Sequence, residues 1–310
     1  MPSSSRPWLQ IHFCVLLWGF TAIIGKLVSL SALTLVWWRM ALVAGTLFCL
    51  TRFWKGFGAM PPRLRATYAG IGILVALHWL TFYGAIKLSN ASVATTCLAL
   101  TPVFIAFVEP LLGSRNFDIC NVILGLAVVP GVALVVGGTP ADMRLGILVG
   151  ISSSLLVAVL SSLNTRFAGE GDALSITGIE MAAGVAFLTM VGPVLPHQGS
   201  LLTVPGLYDA SLLLLLAFGC TLLPFALSLI AMRKLSAFAV ALALNMEPVY
   251  AIVLAILILG EQHQLHAAFY LGVTIIVLVV FSHPWIAAQR ARPPAASNSG
   301  TAGHQGKTSN

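Results

Sequence analysis

Charge is what this sequence has least of. Nine acidic and 16 basic residues make up 8% of its 310 positions, against 58% hydrophobic residues and a mean hydropathy of +0.97. A soluble domain carries about 25% charged residues, so no soluble domain is hidden in the chain. Cysteine is scarce as well. Cys14, Cys49, Cys97, Cys120 and Cys220 show no CxxC spacing and fall inside or at the ends of apolar runs, which excludes a disulfide framework and a zinc site. HExxH, GxSxG and the Walker loop are all missing, and the apolar runs hold too few polar groups for a nucleophile, a base and oxyanion donors. No cofactor site is expected on these grounds.

What fills the chain instead is ten apolar stretches, at 8–28, 33–53, 66–86, 92–112, 119–137, 145–163, 174–195, 210–230, 236–259 and 265–285. Each holds about 20 residues, which at about 1.5 Å per residue spans a hydrocarbon core of about 30 Å. The runs are continuously apolar and do not alternate, so helices and not barrel strands satisfy the backbone in lipid. The first run is too long for a signal peptide, follows only Arg6, and meets no cleavage site before Lys26. It is read as helix one of an all-α integral membrane protein whose first partner is the lipid bilayer.

The formal charge of +7 does not point to nucleic acid, because the basic residues are distributed by loop and not gathered among aromatics. With a cytoplasmic N-terminus, 12 of the 16 lie on inside segments, which puts both termini in the cytoplasm. Segment 1–7 is then a short cytoplasmic start. The stretch 286–310, rich in Pro, Ala, Ser, Asn and Gly, is read as a disordered cytoplasmic tail.

An internal repeat organises the rest. Lys87-Leu88-Ser89 recurs as Lys234-Leu235-Ser236, 147 residues on, and Val93-Ala94 with Val240-Ala241, Gly113 with Gly260 and Gly125 with Gly272 share that offset. Both halves also carry a mid-helix proline, Pro102 after Thr101 and Pro248 after Glu247. Each unit holds five helices, over 8–137 and 145–285. An odd number of crossings starts the second unit on the opposite side of the membrane, giving a 5+5 inverted repeat.

These residues resemble the drug/metabolite transporter superfamily in its ten-helix form with two EamA-type domains. The likeness covers about residues 8 to 285 and rests on Leu17-Trp18-Gly19-Phe20, Trp38-Arg39, His78-Trp79-Leu80-Thr81-Phe82-Tyr83, Lys87-Leu88-Ser89-Asn90, Thr101-Pro102-Val103-Phe104 and Met246-Glu247-Pro248 leading to Leu259-Gly260-Glu261. One departure is visible, since Gly113-Ser114 stands where the pattern of Gly260-Glu261 would put a glutamate. The resemblance implies a secondary transporter in a bacterial inner membrane, exporting small metabolites such as amino acids or amphipathic and toxic compounds by alternating access around a central cavity. Uniport, exchange and proton antiport all fit. Neither substrate nor oligomeric state is written in the sequence. A multi-pass membrane enzyme and a non-transporting helper subunit are the alternatives.

Depth along the helices nominates the transport path. Trp18, His78, Thr101, Pro102 and Glu247 lie about ten residues from a helix end, near the bilayer midplane where the repeats of such transporters meet. A carboxyl at that depth needs water, a partner or a proton, which makes Glu247 the first candidate; Pro248 beside it removes a backbone donor. His78 is the imidazole at that level, with Phe82 one turn on. Trp79 and Tyr250 complete the expected path, the tryptophans equally readable as packing. Arg39, nearer the outer surface, either snorkels outward or gates the outer mouth, and Glu180, its repeat mate, is expected on the other side of the midplane without pairing to it. Lys26 is expected to snorkel.

Overall fold

The computed structural model describes residues 5–112, 119–167, 170–195, 201, 204–224, 227, 243, 244 and 246–290, and every regular element among them is helical. In chain order these are α1 Ser5–Leu27, α2 Ala32–Phe48, α3 Thr51–Ala59, α4 Pro62–Leu88, α5 Ala91–Leu98, α6 Thr101–Leu111, α7 Ile119–Gly137, α8 Arg144–Phe167, α9 Ala173–Val191, α10 Leu207–Leu214, α11 Glu247–Leu254 and α12 Ala267–Arg290. Wider π-type turns extend α10 over Leu215–Leu222 and α11 over Ala255–Leu259. Five runs among the described residues are long and apolar enough to cross a bilayer, and the α2–α3 pair makes a sixth if counted as one. The expected spans 210–230 and 236–259 lie partly outside the described residues.

The expected second span, 33–53, is not one helix. Its chain turns by 88° between α2 and α3. The Cys49 N–H donates to the Gly45 carbonyl and the Leu50 N–H to that of Leu47, Leu50 takes extended backbone at φ −90° and ψ 124°, and α3 leaves across the end of the bundle. Physical cause lies in α3 itself: Arg52 and Lys55 are exposed on one face while Phe53 is buried on the other, packed on Phe48 with ring centroids 4.7 Å apart. Such a helix suits the plane of an interface and not its interior. Pro61 and Pro62 then end the excursion, with Pro62 placed in the first turn of α4, where a missing N–H costs nothing.

A milder break divides the expected fourth span into α5 and α6. Pro102 opens α6 and has no N–H to give the carbonyl of Leu98, four residues back; Pro248 leaves the carbonyl of Leu244 in the same position at the start of α11.

Packing places α4 at the centre, between α8 and α9. Around it α1 lies on α11 and α10, α2 on α9 and α10, the α5–α6 pair on α8, α5 on α11, and α7 on α12. The largest apolar cluster joins α1, α2, α4, α9 and α10; a second joins α5, α7, α8 and α12. Where α4 meets α9 the backbones nearly touch: a Cβ on Gly72 would fall 2.2 Å from the carbonyl oxygen of Glu180. That contact sets the height of Glu180 against α4.

Candidate functional site

Between α1, α2, α4, α5, α8, α9, α10 and α11 lies a cavity of about 430 Å³, within the range of about 300–1,000 Å³ common for small-molecule sites. Its wall is mostly apolar, from Trp18, Val75, Trp79, Phe82, Leu98, Leu160 and Met181, with the polar groups Arg39, His78, Glu180, Thr221 and Glu247 set into it. Wall residues on α8 and α9, such as Leu160 and Thr177, come from the halves of those helices nearer Phe167 and Ala173. Thr21 on α1 and His78, Trp79 and Phe82 on α4 come from the halves nearer Leu27 and Leu88, so the cavity lies midway along the bundle.

Arg39 does not snorkel. It is 5% exposed, and neutral groups hold it on three sides. Nε and Nη2 donate to the Thr221 hydroxyl at 3.1 and 2.8 Å, and Nη1 donates to the Tyr83 hydroxyl at 2.6 Å. The guanidinium lies 3.8 Å over the Trp79 ring, a cation–π contact. Of five N–H donors, one on Nη1 and one on Nη2 are left. The one ion pair among the described residues is elsewhere, between Arg52 and Asp172.

His78, on α4 one turn below Phe82, is fixed by Ser153 of α8. The Ser153 hydroxyl donates to the His78 carbonyl at 3.1 Å and sits 2.8 Å from Nδ1. A hydroxyl has one proton to give, so Nδ1–H must be the donor in the second contact and Nε2 is left as a bare acceptor. The imidazole is stacked beside Phe82, with centroids 6.1 Å apart and 29° between planes.

Two carboxyls share the cavity wall. Glu180 on α9 is 7% exposed; the side chain of Asn164 hydrogen-bonds it, and its Oε1 has no partner. Glu247 opens α11 beside Pro248. Counted from helix ends at about 1.5 Å per residue, Arg39 lies about 10 Å from the Ala32 end of α2 and Glu180 about 10 Å from the Ala173 end of α9. These are opposite ends of the bundle, so the two charges stand at different heights.

A model of the EamA-like transporter family matches residues 8–137 and again 144–282. The chain belongs to the EamA-like transporter family. Membership and the apolar helices together make it a multi-pass membrane protein of transporter type. No curated protein matches it. Among solved structures, one described only as a crystal structure of a protein aligns over 93% of this chain and 99% of its own, with a TM-score of 0.61 at 16% identity. At that identity the likeness concerns the fold alone.

In this EamA-like chain six residues picked out by depth or motif, Trp18, Arg39, His78, Trp79, Phe82 and Glu247, are brought to one cavity. Four are not in its wall. Thr101 and Pro102 open α6, Pro248 is buried behind Glu247, and the Tyr250 hydroxyl bonds to Nδ1 of His12 at 2.8 Å beside an apolar groove on α1. The wall also holds Glu180, weighed from sequence only as the mate of Arg39. Tyr83, Thr221 and Ser153, which hold the charged groups, were not singled out. A run of three serines at 152–154 within an apolar span was the signal for Ser153. Among the described residues no three His, Cys, Asp or Glu side chains come together as metal ligands.

The two ends of the bundle are built differently. Toward Leu27 stands Tyr83, the fully buried partner of Arg39; a Cβ on Gly25 would fall 2.3 Å from its ring. Beyond it lies a polar layer. Half-buried Lys26 donates to the Ser89 carbonyl at 3.0 Å; Lys87 donates to the Val28 carbonyl; and Asp209 accepts from the Ser29 N–H at 2.9 Å and from its hydroxyl. In the same layer Glu261 accepts from the N–H groups of Ala91 and Ser92. At the Phe167 end Asp172 caps α9, accepting from the Ser175 N–H at 3.3 Å, and pairs with Arg52 at 2.7 Å. Burial alone would raise the Asp172 carboxyl, but the Arg52 hydrogen bond and the Ser175 N–H outweigh it and hold the group below the usual carboxylate range.

Proposed function

We propose that this protein is a secondary transporter of ten transmembrane helices in two inverted five-helix halves, exporting a small metabolite across a bacterial inner membrane by alternating access, with both termini cytoplasmic. The observation that carries the reading is the cavity, where Arg39, His78, Glu180 and Glu247 from both halves meet in an apolar bundle. Ionisable groups inside a membrane are costly, and a shared cavity with room for water and a small solute explains their keeping.

Packing supports the inverted halves. If α1, α2, α4, α5–α6 and α7 correspond in order to α8, α9, α10, α11 and α12, exchanging halves turns the α1–α11 contact into that of α8 with α5–α6, the α4–α8 contact into that of α10 with α1, and the α4–α9 contact into that of α10 with α2. All of these contacts are present, and α2–α9, α5–α11 and α7–α12 map onto themselves. An approximate two-fold axis through the membrane plane relates the halves of many transporters in the same way. On this reading the Leu27 end is outside and closed, and the cavity faces the cytoplasm. His78 and Glu247 form the polar centre of the path, coupled to a proton or a counter-solute.

The test is flux in proteoliposomes, normalised to folded protein, for the wild type, Glu247→Gln and His78→Ala from pH 5 to 8, about the window in which histidine titrates. Glu247→Gln keeps the volume and loses the charge, so net flux is expected to vanish with the fold intact. His78→Ala is expected to weaken uptake and change the pH profile. Wild-type rates and profiles in both variants would remove the two residues from the mechanism.

A further inference from the structure

The elbow that leads from α2 through α3 into α4 carries more positive charge than the protein around it answers. Of its basic residues Arg52, Lys55, Arg63 and Arg65 only Arg52 meets a carboxylate, that of Asp172 at 2.7 Å; among the described residues no acidic group pairs with the other three. Lys55 and Arg63 are exposed. Arg65 is half-buried and fixed: its Nε donates to the Met60 carbonyl at 2.8 Å, and its guanidinium lies 4.5 Å over the Phe57 ring. Its two Nη groups, with four N–H donors, are left without a partner among the described residues. A planar, always-charged fork held in this way binds phosphate through two parallel hydrogen bonds.

Apolar surface adjoins the fork. Phe57 meets Trp54 edge-on with centroids 6.2 Å apart, and the Trp54 Nε1–H donates to the Phe48 carbonyl at 2.9 Å, tying the indole across the bend to α2. Trp54 is still 54% exposed, with Phe48 and Leu50 exposed beside it. On its other side α3 is seated on the first turn of α9: the Ser175 hydroxyl donates to the Phe53 carbonyl at 3.0 Å, and a Cβ on Gly56 would fall 2.1 Å from that hydroxyl. The aromatic edge is thus held in place at the end of the bundle, the level at which tryptophan settles among lipid headgroups.

We propose that this elbow is a binding site for an anionic phospholipid, its phosphate on the Arg65 fork, its headgroup beside Trp54 and its acyl chains over Phe48 and Leu50. A soluble anion would use the fork and leave the aromatic edge bare, and a zwitterionic lipid would use the edge and leave the charge of Lys55, Arg63 and Arg65 unanswered. Each basic residue near an anionic membrane surface is worth about fivefold in affinity. Because α3 connects α2 to the start of α9, two helices of the cavity wall, the bound lipid also braces that end of the bundle. The inference rests on residence in a membrane and is independent of the transport reading.

The experiment titrates the full-length protein in detergent with phosphatidylglycerol and with phosphatidylcholine of identical acyl chains, counting bound lipid by native mass spectrometry, with glycerol 3-phosphate as a soluble competitor. Phosphatidylglycerol is expected to bind about tenfold or more tightly than phosphatidylcholine. Arg65→Gln should lower its affinity about fivefold or more and leave that for phosphatidylcholine unchanged, Arg65→Lys less, since a lysine keeps the charge without the fork. Trp54→Ala should weaken both lipids, and Arg6→Gln, which removes an exposed charge on α1, should weaken neither. Equal binding of the two lipids, an Arg65→Gln protein with the wild-type preference, or an equal loss in Arg6→Gln would overturn the site. Displacement of the lipid by excess glycerol 3-phosphate would assign the fork to a soluble anion, and a lipid-free dimer that Trp54→Ala dissociates would assign the face to a second copy; either result also overturns the proposal. Should Arg65→Gln fail to fold, Arg63→Gln, whose side chain is exposed, takes its place, with an expected loss of about fivefold.

Discussion

Glu261 should be one of the most expensive side chains in the molecule to remove, although it touches no cavity. It is 1% exposed and follows Gly260, whose φ of 65° is the left-handed turn that ends α11. Its two oxygens accept from the N–H groups of Ala91 at 2.9 Å and Ser92 at 2.8 Å, while Asn90 accepts from Val93 at 2.9 Å. The first three N–H groups of α5, which no helical carbonyl can serve, are thus all satisfied, two of them by a carboxylate from the other half of the chain. A hydrogen bond to a charged group is worth about 1.5–3 kcal/mol, and charge at a helix N-terminus adds about 0.3–1 kcal/mol. Glu261→Ala gives up both bonds and strands two buried N–H groups, so a loss of roughly 3–6 kcal/mol is expected. Glu261→Gln keeps one acceptor but turns an NH₂ toward the other N–H, for a loss of roughly half that. Urea unfolding in detergent, followed by tryptophan fluorescence, measures both against the wild type. Flux per folded molecule should be unchanged in whatever Gln variant survives. An Ala variant within about 0.5 kcal/mol of the wild type, the scatter of ordinary surface substitutions, would refute the reasoning.

Asp172→Ala should cost about 1 kcal/mol for the lost N-cap and less than that again for the largely exposed Arg52 pair. Because folding lowers the Asp172 pKa, its contribution is full above the unfolded value of about 3.9 and disappears as pH falls through the lower folded value; apparent melting temperatures of wild type and variant should converge only at the acid end of a series. Gly72→Ala forces a Cβ to 2.2 Å from the Glu180 carbonyl and should separate α4 from α9 at a cost of about 1–3 kcal/mol, whereas at Gly45, where nothing lies within 4 Å, alanine should be neutral or stabilising by up to about 1 kcal/mol; the melting temperatures of the two variants should move in opposite directions or at least differ clearly.

Most of the helix order was legible because bilayer thickness imposes a length and lipid imposes apolarity, and both are read one residue at a time. The second span ran past its true end because Arg52 and Lys55 were averaged into an apolar neighbourhood containing Phe48, Phe53, Trp54 and Phe57. Depth was legible for the same reason as length, which is how Trp18, His78 and Glu247 were singled out together. Direction around the helix was not. Tyr250 lies one turn from Glu247 yet turns to His12, and Arg39, one side chain among many apolar ones, gives no sign in sequence of the hydroxyls of Tyr83 and Thr221 that hold it. Those partners come from helices far apart in the chain, 44 and 182 residues away. Only packing brings them in.

The polar layer over Tyr83 also bears on how readily this end of the bundle can open. Apart from the Glu261 clamp on α5, its donors are two lysines and a serine, and its acceptors are main-chain carbonyls at helix ends or the Asp209 carboxylate, groups that water serves equally well. Separating them exchanges bonds within the protein for bonds to solvent, a difference of about 1.5–3 kcal/mol for each contact to a charged group. Val28, Leu33 and Ile86 are buried apolar residues at this level, but among the described residues no ion pair between side chains has to be broken there. Under the proposed alternating access, this end opens by exchanging those bonds for water on the microsecond-to-millisecond scale of helix movements, and a bound solute changes which end spends more time open only through its differential affinity for the two forms.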